Sequence, residues 1–484
     1  MKQQFTYVDL FAGCGGFSLG LEHAGFELEL AVEKSEMAAE TFFHNFVERI
    51  TDQSAWEGFA SARTSVGEQA SRKLIVKELS AVLKCPETLD KLRSKKIDLV
   101  AGGPPCQGFS LAGRRNPEDA RNSLPWQFLE FVEAVEPKAV VIENVSGMIQ
   151  DFRKHGRRSP FSDLRLALQG IGKGYEVQPV LLNAMHYGVP QHRPRVMLLG
   201  LRRDVSSQLG LFFSEKIWKS EYDLIGSLQF EKRPSLAPVA THFGDEILTV
   251  HDAISDLDSQ GYSRKRKIAE YAREMRQDTS WIPKSQQGKK NKKLKNHNLR
   301  KHSRPIETRF RLYQYFRDEG IPAKVLAIPK TVETPREGLQ LLVSEAVAKA
   351  RIPAKAPDGT VLAKSHNELV ELILGLGTRK HSQRPLSWSS PSPTVVSLPD
   401  DYVHPDQPRT LTVRELARFQ SFPDHFEFRS KETTGSLRRR FEVPQYTQVG
   451  NAVPPRLGRA VGEAILHALK KYGASQGERP EHAA

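Results

Sequence analysis

The chain predicts an α/β fold: a parallel sheet wound with helices on both faces, joined to a second, irregular part. From Phe5 to about Arg202, short apolar runs alternate with stretches of helical spacing, the pattern of strands connected by crossover helices. After Arg203 that rhythm stops, and to about His404 the sequence is basic, proline-punctuated and irregular. At 484 residues the chain also exceeds what one ordinary core holds, so two domains are expected.

The strands predicted in order are Thr6 to Phe11, Glu27 to Val32, Lys73 to Val76, Ile97 to Ala101, Ala139 to Ile142, Glu176 to Leu182 and Val196 to Leu201. Helices are predicted over Ser35 to Phe46, Ser123 to Val135 and Ser162 to Leu168, each with a serine at its front and apolar residues at helical spacing. Glu48 to Arg72 reads as an insertion or a long irregular helix. Further helices are expected at Ile306 to Glu319, Glu337 to Ala350 and Val461 to Tyr472, before a polar tail.

Composition narrows the function. No run of about 18 apolar residues suggests a membrane span, and Met1-Lys2-Gln3-Gln4 leads into a strand without a secretory signal, so a cytoplasmic protein is expected. Three cysteines are too few for a disulfide framework and fit reduced thiols. A net charge of +14 attracts polyanions, nucleic acid foremost. Arg264 to Arg304 holds 15 Lys or Arg against 3 Asp or Glu; it reads as a solvated arm or as a contact to phosphate backbone.

The chemistry concentrates in a few short stretches. Gly102-Gly103-Pro104-Pro105-Cys106-Gln107-Gly108-Phe109-Ser110 puts one thiol in a tight loop directly after a strand, where an attacking group would sit; alone, such a cysteine is as readily a packed one. Asp9 to Phe17 ends the first strand in a Gly-x-Gly-Gly turn, and Glu33 closes the second strand 20 residues beyond Gly13, where a carboxylate can accept from a ribose diol. A dinucleotide and an adenosyl group compete for this site. The Phe11-Ala12 approach and the missing third glycine favour S-adenosyl-L-methionine. Cys14 in this loop reads as a small packed residue.

On these residues the chain resembles the DNA (cytosine-5)-methyltransferases of the bacterial restriction-modification type. Asp9 to Phe17 is similar to the cofactor loop, Gly103 to Ser110 to the nucleophile loop, Glu143-Asn144-Val145 to the acid motif and Gln191-His192-Arg193-Pro194-Arg195 to the Gln-x-Arg-x-Arg motif. Arg409 to Glu415 with Arg418 to Pro423 resembles a support segment, and Gln448 to Pro455 closes the set. The resemblance covers roughly 1 to 204 and 380 to 470. It implies a Rossmann-like methyltransferase sheet in 1–204, completed by 444–475, a target-recognition domain in 205–443 and a polar tail in 476–484.

The same resemblance implies the roles. Cys106 attacks carbon 6 of a cytosine flipped out of double-stranded DNA, Glu143 stabilises the adduct at N3, and Arg195 holds O2, with Arg193 ordering the neighbourhood or meeting phosphate. Phe11, Gly13, Gly15, Gly16, Glu33, Pro104, Asn451 and Val453 fall to the S-adenosylmethionine site. Glu78 stands where the family usually has an Asp-Ile or Asp-Leu against the adenine. Gly108, Ser110, Gly113, Arg114 and Arg115 form a loop able to close over DNA. Taken singly, a strand-end glutamate is as often salt-bridged or capping, and an arginine pair as often binds structural carboxylates. A monomer is expected, with a cognate restriction endonuclease acting separately. The alternatives are a transfer-RNA cytosine-5 methyltransferase and a catalytically silent DNA-binding regulator on the same scaffold.

Overall fold

The computed structural model describes residues 4–105, 123–150, 159–263, 267–277, 294–327, 336–378, 380, 382–435, 438 and 441–477. Its centre is an eight-stranded sheet: β1 (Phe5–Leu10), β2 (Phe26–Val32), β3 (Leu74–Ile75), β4 (Leu99–Gly102), β5 (Ala139–Val145), β6 (Tyr175–Asn183), β7 (Pro194–Arg202) and β8 (Trp218–Lys219). They lie in the order β3-β2-β1-β4-β5-β7-β6-β8. β1 to β5 are mutually parallel, but β7 runs antiparallel to both β5 and β6. The wholly parallel sheet expected from the sequence is corrected here: the link from Ala184 to Arg193 is too short for the crossover of a dozen or more residues that parallel neighbours need.

Alternation along the strands explains why both faces are covered. Tyr7, Ala101, Val141 and Leu199 enter one hydrophobic cluster, and their chain neighbours Val8, Val100, Val140 and Leu198 enter the other. Phe128, Phe131, Leu164 and Leu168, from helices Leu124–Val135 and Pro160–Gly170, cover the second face. Phe17 and Leu21 of helix Gly16–Ala24 cover the first, with Leu457, Val461 and Ile465 of helix Pro455–Gly477. The stretch 48–72 is two short helices, Gln53–Ala60 and Val66–Ser71, rather than one.

Past β7, Trp218–Lys219 joins the sheet beside β6. Leu236, Val250, Leu257 and Met275, and later Leu386, Val395, Phe419 and Phe426, belong to the first cluster. A separate core is built by helices Arg304–Glu319, Arg336–Val347 and His366–Gly375 through Phe310, Tyr313, Phe316, Val343, Val347, Leu369 and Ile373. The boundaries expected at 204/205 and 443/444 therefore border a stretch whose flanks share the sheet's core and whose middle has its own. The described part of the expected tail ends the last helix, and 478–484 lie outside the described residues.

The support segment is a knot of buried ion pairs. Thr412 and Glu415 form a reciprocal cap on helix Val413–Phe419, and Arg409 grips Glu415 at 2.8 and 2.7 Å. Arg418, fully buried, meets Asp424 at 3.0 and 2.7 Å and Asp256 at 2.5 Å, so 413–424 is tied to the 250s.

The two helices that close the first face cross at glycine. A β-carbon on Gly20 would stand 2.4 Å from the Pro455 carbonyl oxygen and 2.6 Å from the Arg459 nitrogen, both backbone atoms. Gly20→Ala is expected to cost about 1–3 kcal/mol, read as a lower urea midpoint, whereas Gly67→Ala, whose β-carbon would meet nothing, should cost less than about 1 kcal/mol.

Candidate active site

The parallel strands β1, β2, β4 and β5 deliver their carboxyl ends to one edge of the sheet, and the predicted site residues gather there. Leaving β1, Phe11 takes a left-handed φ of 60° and Gly13 one of 56°. That conformation is strained for phenylalanine and held by its surroundings. At Gly13 a β-carbon would meet nothing within 4 Å, so this side of the loop is open to a ligand. The Gly13 N–H donates to Glu33 Oε2 at 2.8 Å, and the Ser35 N–H donates to Oε1 at 2.7 Å. These bonds aim the carboxylate at the loop, while burial raises its pKa. Gly15 and Gly16 serve packing: β-carbons there would run into Phe46 at 2.2 Å and the Val453 carbonyl oxygen at 2.3 Å. An open glycine facing a strand-end carboxylate fits the ribose end of an adenosyl group.

Asp9 lies beneath this loop, 1% exposed, and accepts from Ser18 Oγ at 2.6 Å. Burial pushes its pKa up to about 7. Asp9 has no role assigned from its motif, and its only signal in the sequence is that of one acid in an otherwise apolar strand end. Cys14 is packed: its thiol points to the Gln448 carbonyl at 3.6 Å, and burial pushes its pKa up to about 12.

The second half of the site is built on β4, β5 and β7. Asn144 Nδ2 donates to the Pro104 carbonyl at 3.0 Å, and a β-carbon on Gly103 would stand 2.8 Å from Glu143 Oε2. Glu143 thus sits against the root of the cysteine loop. Arg195, opposite Val145 in the β5–β7 register, places Nε 2.9 Å from Glu143 Oε1. The two side chains are 11% and 12% exposed. Burial raises the Glu143 pKa, and the Arg195 charge, then that of Arg193, opposes the rise. Pro104, Glu143 and Arg195 are therefore brought together. Cys106 and the loop residues Gly108, Ser110, Gly113, Arg114 and Arg115 lie outside the described residues, as do 264–266 and 278–293 of the basic run.

Other predicted residues sit elsewhere. Arg193, 1% exposed, points inward and donates to the carbonyls of Val395 at 3.1 Å, Gly450 at 2.7 Å and Ala452 at 3.0 Å. At 1% exposure and with three backbone carbonyls as partners, the guanidinium is turned away from solvent, which does not fit the expected alternative of a contact to phosphate. Val453 is buried behind Gly16, and Asn451 is exposed at the end of helix Gln445–Asn451. Glu78 is exposed past β3, 3.6 Å from Lys34 Nζ, one residue from Glu33. Gln448, also missed as a site residue, accepts from Thr41 Oγ1 at 2.7 Å and donates to the carbonyls of Met37 and Val443, both at 3.0 Å. Glutamine in a Gln-Val-Gly-Asn string gives no sign of such partners.

Arg193→Met strands three buried carbonyl acceptors. The expected loss is about 2–3 kcal/mol of stability in chemical denaturation, while the exposed neighbour variant His192→Ala should change stability by less than about 0.5 kcal/mol.

The chain is similar to known methyltransferases along nearly its whole length. It is 30% identical over 469 residues to the type II methyltransferase M.DdeI of Desulfomicrobium norvegicum, covering 95% of this chain and 88% of that one. It is 30% identical over 488 residues to the type II methyltransferase M.AgeI of Thalassovita gelatinovora, covering 96% and 99%. Among solved structures, a chain assigned as a DNA modification methyltransferase encoded within an E. coli prophage shares the fold, with a TM-score of 0.57 at 21% identity over 96% of this chain and all of that one. The family model matches residues 5–64 and 83–467, leaving out Glu78 but including every other predicted site residue, and the chain belongs to the C-5 cytosine-specific DNA methylases.

Proposed function

We propose that the protein transfers a methyl group to carbon 5 of a cytosine flipped out of a specific double-stranded DNA sequence, as the modification enzyme of a restriction-modification system. The observation that carries this is the buried Glu143–Arg195 pair, 2.9 Å apart, against the root of the loop that bears Cys106. Its family membership and its type II methyltransferase relatives support the same reading.

Carbon 5 of cytosine is a poor nucleophile until something adds to carbon 6. The Cys106 thiolate makes that bond, and electron density moves through the ring to C5, N3 and O2. Glu143, whose acid form is favoured by burial, gives its proton to N3. Arg195 faces O2 and stabilises the charge that develops there. S-adenosylmethionine, the methyl donor of this reading, supplies an electrophilic methyl. Phe11, Gly13 and Glu33 would hold it, with Gly15, Gly16 and Val453 fixing the loop from behind and Pro104 and Asn451 at the rim. Once C5 carries the methyl group and the donor has left as a neutral thioether, a solvent base takes the C5 proton, the C5–H electron pair expels the Cys106 thiolate, and N3 returns its proton to the Glu143 carboxylate, which restores the aromatic ring. A stacked base cannot meet a thiol and a methyl donor on opposite faces, so flipping is required.

Residues 205–443 would supply target recognition, with the basic run meeting phosphate. The enzyme would work as a cytoplasmic monomer, with a separate cognate endonuclease. Among the described residues no helix is long and apolar enough to cross a membrane.

Labelled S-adenosylmethionine incubated with duplex DNA and, separately, with transfer RNA tests the reading: 5-methylcytosine is expected in DNA, label in RNA alone would overturn the substrate, and label in neither would overturn the activity. Cys106→Ser should retain less than roughly a few per cent of turnover with duplex binding nearly unchanged. Arg195→Met removes the charge that holds the Glu143 pKa down, so the acid form should persist to higher pH. The alkaline limb of the residual kcat/KM profile should then move upward; a downward or absent shift would remove Glu143 as the proton donor.

A further inference from the structure

Away from the sheet edge, the structure holds a cavity of 560 Å³ lined by His251, Ser255, Lys267, Ile268, Trp388 and Asp406, with Ala269 at its wall. None of these residues takes part in the chemistry above. Trp388 is the rigid wall. Its ring lies 6.1 Å from His251 at 76° and 5.4 Å from His404 at 85°, and its carbonyl accepts from the His251 N–H at 3.0 Å. His404 Nδ1 accepts from the Asp406 N–H at 3.3 Å and the Gln407 N–H at 3.2 Å, which anchors the turn that carries Asp406, and lies 3.0 Å from Asp406 Oδ1. Ile268 and Ala269 supply an apolar surface, and Lys267 is exposed beside them. A flat aromatic wall, an apolar surface, one carboxylate and one cation are complementary to a base that stacks, an exocyclic amino group that donates to the acid, and a phosphate that meets the lysine.

We infer that this cavity is a nucleotide subsite, taking one amino-bearing nucleotide, adenine or cytosine in type, outside the catalytic centre. Its place in the fold supplies the reach. The His192 N–H, two residues before β7, donates to the Ser392 carbonyl at 2.8 Å, and the Val250 N–H donates to the Ser390 carbonyl at 2.9 Å, so the segment that carries Trp388 is bonded both to the approach of β7 and to the helix that carries His251. Three residues along 192–195 and four along 388–392 separate Arg195 from Trp388, at most about 30 Å of extended backbone. That is within about one turn of duplex. Only the polymer that bears the nucleotide rests on the DNA-acting reading; the ligand chemistry rests on the cavity itself.

The test uses full-length protein labelled with 5-fluorotryptophan, which carries five tryptophans, and the Trp388 resonance assigned through Trp388→Phe. Titration with dCMP or dAMP should shift that resonance, with dTMP weaker by about threefold to tenfold for want of the donated hydrogen bond. Lys267→Ala, an exposed substitution, should weaken dCMP by about threefold or more. If duplex DNA and dCMP exclude one another, the subsite takes a nucleotide of the bound DNA; if dCMP binds equally to the DNA-loaded protein, it takes a free nucleotide. No shift of the Trp388 resonance up to roughly 10 mM nucleotide, or a shift indifferent to Lys267→Ala, overturns the proposal. The readout needs no methyl transfer, so failure of the catalytic reading would be seen separately.

Discussion

The structure depends on one close approach, that of the chain's last strands of backbone to its first loop. The Val453 carbonyl stands where a Gly16 side chain would be, and Arg193 ties the carbonyls of Gly450 and Ala452 to the start of β7. Gln448 fastens the same segment to Thr41 and Met37. The loop that carries Phe11 and Gly13, and with it Glu33 at the end of β2, is thus backed by residues more than four hundred positions away. Its shape becomes a property of the complete core and not of the local turn. This explains why helix Pro455–Gly477 is needed to cover a sheet face that the amino-terminal residues alone would leave open.

Burial sets the electrostatics in the same way. Glu143 and Arg195 share a nearly dry site where each controls the other: desolvation favours the neutral acid, and the guanidinium pulls back toward the carboxylate. A carboxyl balanced between these influences suits proton donation. The more deeply buried arginines have different work. Arg409 and Arg418 hold carboxylates, Arg414 donates to the carbonyls of Pro423 and Phe426, and Arg193 serves backbone. Their charge is spent on cohesion between the sheet's core and the segments that follow it.

Much of the fold could be read from the sequence because it is written in short-range pattern. Each predicted strand has a counterpart, with ends moved by a few residues, since alternation and apolar runs are local properties. The direction of β7 was not legible, because period-two alternation is the same for either direction and only the short link from β6 decides it. The irregular part was hardest: Trp218–Lys219 joins the sheet with two residues, too few for any periodic signal. In the site, Glu143 and Arg195 were given roles by their motifs, whereas Asp9 and Gln448, although each opens a motif, were given none, because their meaning lies in partners that sequence does not list beside them.

What the sequence by itself determined was the inventory and the order: a glycine turn after a first strand, a strand-end acid, a thiol loop, a glutamate and an arginine pair in the sequence of one family. What only the tertiary structure decided was the assignment of near-identical residues to different tasks. Arg193 and Arg195 are two positions apart in one motif, yet one is enclosed by the carbonyls of 395, 450 and 452 and the other faces Glu143. The reason is physical: a side chain's type is fixed by the code, but its charge, partners and access to solvent are set by whatever distant segments the fold packs against it.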